Sequence, residues 1–160
     1  MTSDRRRILL VTLASGVACT MALVAAAEET TWDQAKVTEL AQAFSKDIQA
    51  VKLAYRREPG EMIATGDRRS RYELKQSIRL LDSEARHLAK QLADGKGRDE
   101  TYPVFRRLEE IRREAGVHAR RTMLTQPTLE KIAAARSHLE GLAPYYGAEL
   151  GPAPVALPAD

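Results

Sequence analysis

The chain has 160 residues, of which 44% are hydrophobic and only 5% aromatic, and its formal net charge is +3. This length is enough for one domain with a real core, and the scarcity of aromatic residues argues against an all-β fold. Without a predicted leader, residues 1–27, the chain keeps 22 basic and 21 acidic side chains. Because the remainder is close to neutral, bulk charge does not favour nucleic acid as a partner.

The N-terminal segment has the order of a secretory signal peptide. Arg5, Arg6 and Arg7 precede an uncharged run at positions 8–27, which closes on three alanines. This order predicts cleavage near Ala27 and export of residues 28–160 to the periplasm or out of the cell. The run is also long enough to cross a bilayer of roughly 30 Å, so an uncleaved inner-membrane anchor is the alternative.

Cys19 is the only cysteine, and it lies within the predicted leader. Cleavage beyond it leaves no thiol, which excludes an intramolecular disulfide, a cysteine-ligated metal site and covalent attachment of a c-type haem. Two further interpretations of the leader are a twin-arginine export signal and lipid modification at Cys19. A membrane contact is therefore expected only through an uncleaved leader or a lipid anchor.

The first helix is predicted from apolar residues that recur at spacings of three and four between Val37 and Tyr55. Thr30 or Thr31 is expected to cap its start, because each has the spacing of a capping box. A Glu-Pro-Gly sequence at residues 58–60 is expected to end it.

The second helix, from about Asp67 to Ala93, carries the clearest pattern in the chain. Its apolar stripe consists of Leu74, Ile78, Leu81, Ala85, Leu88 and Leu92. A helix of this kind is stable only when other helices cover the stripe. The short connection to the first helix favours an antiparallel hairpin, with Met62 and Ile63 covering the open end of the bundle.

Two more helices complete the prediction. The third is expected to start near residues 99–101, with Pro103 tolerated in its first turn. A turn and cap at residues 125–128 opens the fourth, and Pro144 marks its end. The predicted fold is all-α: an antiparallel four-helix bundle of two helical hairpins at residues 28–147, preceded by the signal or transmembrane segment and followed by a Pro/Ala-rich disordered tail at 148–160.

His118 is the histidine that falls on a predicted apolar stripe, so it is the candidate ligand for a metal or a haem iron in the bundle core. Such a site needs further ligands that converge on the same point. His87 and His138 stand on other helices, and no two histidines are three or four residues apart. The sequence therefore predicts no metal and no cofactor, with a metal- or haem-binding bundle as the alternative.

Arginine doublets recur along the chain, and most alternate with acidic residues at helical spacing, as on a solvated surface. The exception is a group that a hairpin would gather at one end of the bundle: Arg56, Arg57, Arg68, Arg69 and Arg71. A basic surface of this kind suits anionic lipid head groups, lipopolysaccharide or an acidic protein. These five residues are the predicted interaction surface.

The carboxylate pairs, serines and glycines lack the context of a known catalytic arrangement, so no catalytic residue and no enzyme activity is predicted. The leading hypothesis is an exported, non-enzymatic binding protein of the cell envelope. Its expected partner is a protein or an anionic envelope component. The third hypothesis is a coiled-coil structural component, a homo-oligomer in which the apolar stripes pair between copies.

Overall fold

The computed structural model describes residues 30–59 and 68–151, and every regular element in these two stretches is helical. Four α-helices follow one another: α1 (Gln34–Arg56), α2 (Arg68–Ala93), α3 (Arg98–Ala119) and α4 (Gln126–Leu142). A short 3₁₀ helix, Ala143–Tyr146, continues from α4. The predicted all-α class is confirmed for the part of the chain that is described.

The apolar stripe of α2 lies at the centre of the core. All six residues predicted for it are buried, and Leu88 is fully inaccessible to solvent. The stripe belongs to one hydrophobic core together with residues of the other three helices, among them Phe44, Ile48, Phe105, Leu108 and Leu139. Burial of apolar surface, at about 25 cal/mol per Å², holds α2 at this central position.

Hydrogen bonds at both ends of the bundle fix the antiparallel arrangement of α1 and α2. Near the end of α1, the hydroxyl of Tyr55 donates to the carbonyl oxygen of Arg71 at 2.9 Å. At the opposite end, the side-chain amide of Gln34 donates to the carbonyl oxygens of Leu92 at 2.9 Å and Lys96 at 3.2 Å. The predicted hairpin of the first two helices is confirmed.

Glu58 holds the start of α4 against the end of α1. Its carboxylate accepts hydrogen bonds from the backbone N–H of Thr125 at 3.1 Å, from the Thr125 hydroxyl at 2.7 Å and from the Thr128 hydroxyl. Thr125 makes no side-chain capping bond of its own, so the carboxylate of a residue just beyond the end of α1 serves the N-terminal end of α4. Thr125 occupies the expected N-cap position, but residues 126–128 form the first turn of α4 and not a separate turn ahead of it. α4 runs antiparallel to α1.

The start of α1 differs from the prediction. Asp33 is the N-cap, and its Oδ1 accepts the backbone N–H of Lys36 at 3.0 Å. Aspartate is a better N-cap than threonine, and Gln34, expected to close a capping box with Thr31, instead donates to carbonyl groups of α2. The prediction that Thr30 or Thr31 caps this helix is wrong.

α3 begins at Arg98, earlier than predicted, so Pro103 lies in its second turn and not in the first. The backbone N–H of Gly97 donates to the Glu100 carboxylate at 3.2 Å, which stabilises a first turn ahead of the expected start. Proline has no N–H and leaves the Asp99 carbonyl without its helical donor. Both Asp99 and Pro103 are exposed, where solvent can satisfy a carbonyl group.

α3 and α4 do not pack tightly as a second hairpin. The close helix pairs are α1 with α2, α2 with α3, and α1 with α4. α3 and α4 stand on either side of an apolar cleft whose floor is formed by α1 and α2. Hydrophobic periodicity indicates which face of a helix is apolar, but it does not indicate the distance between two neighbouring helices. The sequence therefore did not predict this cleft.

The predictions for the leader at 1–27 and for Met62 and Ile63 lie outside the described residues, as does most of the predicted tail. Where that tail begins, Gly147 adopts a left-handed conformation with φ of 64°. Beyond it, Ala148 and Leu150 are partly buried against the core. Within residues 30–59 and 68–151, no helix is long and apolar enough to span a bilayer.

Candidate functional site

The five arginines of the predicted interaction surface lie at one end of the bundle, which we call the basic end: Arg56, Arg57, Arg68, Arg69 and Arg71. The first two end α1 and the other three belong to the first turn of α2. The hydrogen bond between Tyr55 and the backbone of Arg71 holds these helix ends together. Arg71 is partly buried and the other four arginines are exposed.

In the part of the chain that the structure describes, acidic side chains neutralise little of this charge. The carboxylate of Glu58 is engaged by the N-terminal end of α4. Glu73 Oε1 is 3.9 Å from Arg69 Nε, and the Arg69 side chain is 90% exposed. Long, exposed ion pairs of this kind contribute little to stability. Within the described stretches, Arg56, Arg57 and Arg68 form no ion pair. Counted over the described residues alone, the basic end therefore carries a net positive charge that is accessible to a partner.

Helix dipoles account for only part of this arrangement. Arg56 lies in the last turn of α1, where the partial negative charge of the helix end favours a cation. Arg68 and Arg69 begin α2, where the partial positive charge opposes them, and the first turn of α2 contains no acidic residue. Residues that run against the local preference are expected at functional positions.

The basic end extends onto α4 through a residue that sequence reasoning missed. Lys131 and Arg57 line the same shallow recess between α1 and α4, together with Leu53 and Pro127. Lys131 is exposed. The sequence held no signal for this neighbour, because pairing of α4 with α1 depends on the tertiary arrangement and not on local spacing.

The histidines do not converge. His118 is partly buried near the end of α3, and its carbonyl oxygen accepts the Thr122 hydroxyl at 2.9 Å. His138 Nδ1 is 2.8 Å from Asp47 Oδ2, which joins α4 to α1. In the part of the chain that is described, no three His, Cys, Asp or Glu side chains group as metal ligands would. A ligand role for His118 remains a prediction.

Sequence reasoning also passed over a Glu-x-x-His spacing on α2. His87 Nδ1 is 3.9 Å from Glu84 Oε2, and the His87 side chain is 54% exposed. The ring of His87 also lies 2.8 Å from the amide nitrogen of Gln91. These contacts describe a surface cluster on a single helix, because its three members follow one another at i, i+3 and i+7 of α2.

A buried carboxylate, also missed from the sequence, links α1 and α2. Asp82 is only 2% exposed, and its Oδ2 accepts hydrogen bonds from Lys52 Nζ at 2.5 Å and Arg86 Nη2 at 2.9 Å. Its Oδ1 is buried without a hydrogen-bond partner among the described residues. Asp82 directly follows Leu81 of the apolar stripe, and this position is the feature of the sequence from which its burial could have been predicted.

The end opposite the basic end is aromatic. Trp32 meets the ring of Tyr146 edge-on at 5.5 Å, and Phe105 stacks on Tyr146 at 4.2 Å. The Tyr146 hydroxyl is 2.9 Å from the hydroxyl of buried Thr101, and burial raises the pKa of Tyr146 above its ordinary value of 10.0. The contact between Trp32 and Tyr146 joins the two ends of the folded region.

No family model, curated protein or solved structure matches this chain. Its functional assignment therefore depends on the charge, burial and geometry of its own residues.

Proposed function

We propose that this chain is an exported, non-enzymatic binding protein of the cell envelope, and that it binds an anionic envelope component through the basic end. In this proposal the bundle follows a signal segment that is cleaved near Ala27. The observation that carries the proposal is the group of exposed arginines from two helices, with few acidic neighbours among the described residues, at the ends joined by Tyr55 and Arg71. Phosphate-bearing head groups have the matching charge.

The other two hypotheses lack such an observation. The stripes that would pair between copies of a coiled coil are already buried within one chain, as Leu88 and Leu92 illustrate. No described group supplies further ligands to His118. Solution mass tests the oligomeric alternative, while metal analysis and an absorption spectrum of purified protein test the role of His118 as a ligand.

Binding to vesicles tests the proposal directly. Protein expressed from the full-length chain, and purified in the form that the cell produces, is mixed with phosphatidylglycerol vesicles or with phosphatidylcholine vesicles. We expect binding to the anionic vesicles alone, with an affinity that falls as salt is added. At about 1 kcal/mol for each basic residue near an anionic surface, replacing four arginines should weaken binding by more than tenfold.

Two variants of equal net charge separate the basic end from general charge. The test variant carries glutamine at Arg56, Arg57, Arg68 and Arg69. The control carries glutamine at four exposed positions elsewhere, Arg79, Lys90, Arg98 and Arg106. Equal loss of binding in both variants would show that net charge alone is responsible, and would overturn the assignment to the basic end.

The proposed processing has its own measurement. Intact mass of protein from the cell envelope should correspond to residues 28–160, with Glu28 as the first residue. A mass that includes residues 1–27, or one that carries a lipid on Cys19, would contradict cleavage near Ala27.

A further inference from the structure

The cleft between α3 and α4 contains an apolar cavity of about 90 Å³. Ile48 of α1 and Ile78 of α2 contribute to its floor, and its walls include Ala115 and Gly116 of α3 and Ala135 of α4. These small wall residues leave the space unfilled, although protein interiors are otherwise packed as densely as organic crystals. A void forfeits the contacts of the atoms that line it, so the chain keeps this space at a cost in stability.

Two arginines line the same cavity from opposite walls, Arg112 on α3 and Arg136 on α4. Arg112 Nε and Arg136 Nη1 are buried and have no hydrogen-bond partner in the described stretches. Arg136 also forms an ion pair with Glu140, with 2.5 Å between Nε and Oε1. Burial lowers the pKa of Arg112 from its ordinary value, an effect that Arg113 and Arg136 reinforce and Glu109 opposes.

These groups have chemically specific requirements. A buried donor without a partner destabilises the folded state, and does so more strongly when it is charged. The planar guanidinium matches the geometry of a carboxylate better than that of any other common anion except phosphate. An apolar void beside two such donors therefore suits a molecule with an apolar body and one anionic end.

We propose that the cleft binds a small apolar carboxylate, with its hydrocarbon part in the cavity and its carboxylate on Arg112 and Arg136. The size of the space limits the hydrocarbon part, because a dry cavity of about 150 Å³ in another protein holds a single benzene ring. A short alkyl chain that extends from the cavity along the open cleft fits this limit. The cleft site is separate from the basic end, and the two can be tested independently.

Octanoate is a suitable probe, measured by calorimetry and by chemical-shift changes in nuclear magnetic resonance spectra of the purified protein. Octanol keeps the chain without the charge, and acetate keeps the charge without the chain. We expect octanoate to bind at least tenfold more tightly than either. Equal binding of octanol, or equal binding of acetate, would overturn the requirement for both features.

Variants locate the site. Arg112→Met and Arg136→Met remove the charges and keep the aliphatic stems, and each should weaken octanoate binding by tenfold or more. Arg113→Met, at the exposed neighbouring position, should bind as the wild type does. Undiminished binding in the Arg112→Met/Arg136→Met double variant would overturn carboxylate recognition by these two residues.

A variant that fills the cavity tests whether octanoate binding can be lost while the protein stays folded. Ala135 is 3% exposed and lines the cleft, so Ala135→Leu should occupy the space, keep the melting temperature at or above that of the wild type and abolish octanoate binding. Wild-type affinity in a folded Ala135→Leu protein would place the ligand elsewhere. A dimer that forms through the cleft and does not bind octanoate would show that a second copy is the occupant, and would overturn the proposal.

Discussion

The carboxylate of Asp82 is a buried charge that would destabilise the folded state without its two cationic partners. It is almost completely buried, and it is satisfied on one oxygen by Lys52 and Arg86. The Lys52 side chain is 28% exposed and the Arg86 side chain 58% exposed, so solvent screens both partners. We expect a charge held in this way to contribute to the specificity of helix pairing more than to the net free energy of folding.

Lys52→Met should destabilise the protein, because it removes a partner from a carboxylate that cannot reach solvent. We expect a loss of about 1–3 kcal/mol in the free energy of unfolding, measured with urea. The double variant Lys52→Met/Asp82→Leu should recover much of this loss, because no buried charge is left without a partner. If the double variant is the less stable of the two, the ion pair contributes more than its burial costs.

The hydroxyl groups of two tyrosines are expected to titrate at a higher pH in the folded protein than in the unfolded chain. Burial raises the pKa of Tyr55 and of Tyr146 above the ordinary value of 10.0. The folded state therefore holds these protons more tightly than the unfolded chain does. The stability that results is fully present below about pH 10 and is lost as the pH rises through the folded-state values.

An alkaline titration followed by tyrosinate absorbance should show a late step from Tyr55 and Tyr146. Tyr146→Phe should reduce the amplitude of this step, because it removes one of the two groups. The same titration in a denaturing concentration of urea should lack the late step, since burial is its main cause. A late step that persists in urea would contradict the assignment to buried hydroxyl groups.

At the scale of the helix, α2 is the element that the sequence predicted best. Its spacing of three and four indicated six of its eight buried positions, all except Ser77 and Asp82, because a long amphipathic helix must bury its one apolar face. The start of α1 was predicted less well, since Asp33 and two threonines compete for the same cap within four residues. Local spacing could not decide this competition, which depends on the contact of Gln34 with α2.

A matched pair of leucines on α2 tests the placement of its stripe. Leu88 is fully buried and Leu80 is 46% exposed, so Leu88→Ala should cost about 2–5 kcal/mol in the free energy of unfolding. Leu80→Ala removes the same atoms from a solvent-exposed position of the same helix and should change stability by about 0.5 kcal/mol or less. Similar midpoints for the two variants in denaturant would mean that the helix buries a different face.

At the scale of the whole molecule, the bundle has a basic end and an aromatic end. The sequence predicted the five arginines of the basic end, because a hairpin brings Arg57 close to Arg68. It did not predict the cleft or the place of Lys131 at the basic end. Both depend on the pairing of α4 with α1 and on the small side chains of Ala115, Gly116 and Ala135, which carry a weak hydrophobic signal.

Because the two ends of the bundle differ, the fluorescence of the one tryptophan can report which end faces a membrane. Trp32 precedes α1, whose 23 residues separate it from Arg56 by about 35 Å at 1.5 Å per residue. If the basic end docks on an anionic surface, brominated phosphatidylglycerol vesicles should bind the protein and leave the fluorescence of Trp32 unquenched. A Trp32→Phe/Tyr72→Trp variant moves the reporter to an exposed position near the start of α2, where quenching is expected. Quenching of Trp32 in the wild type would instead place the aromatic end at the membrane, as a retained leader ahead of residue 28 would require.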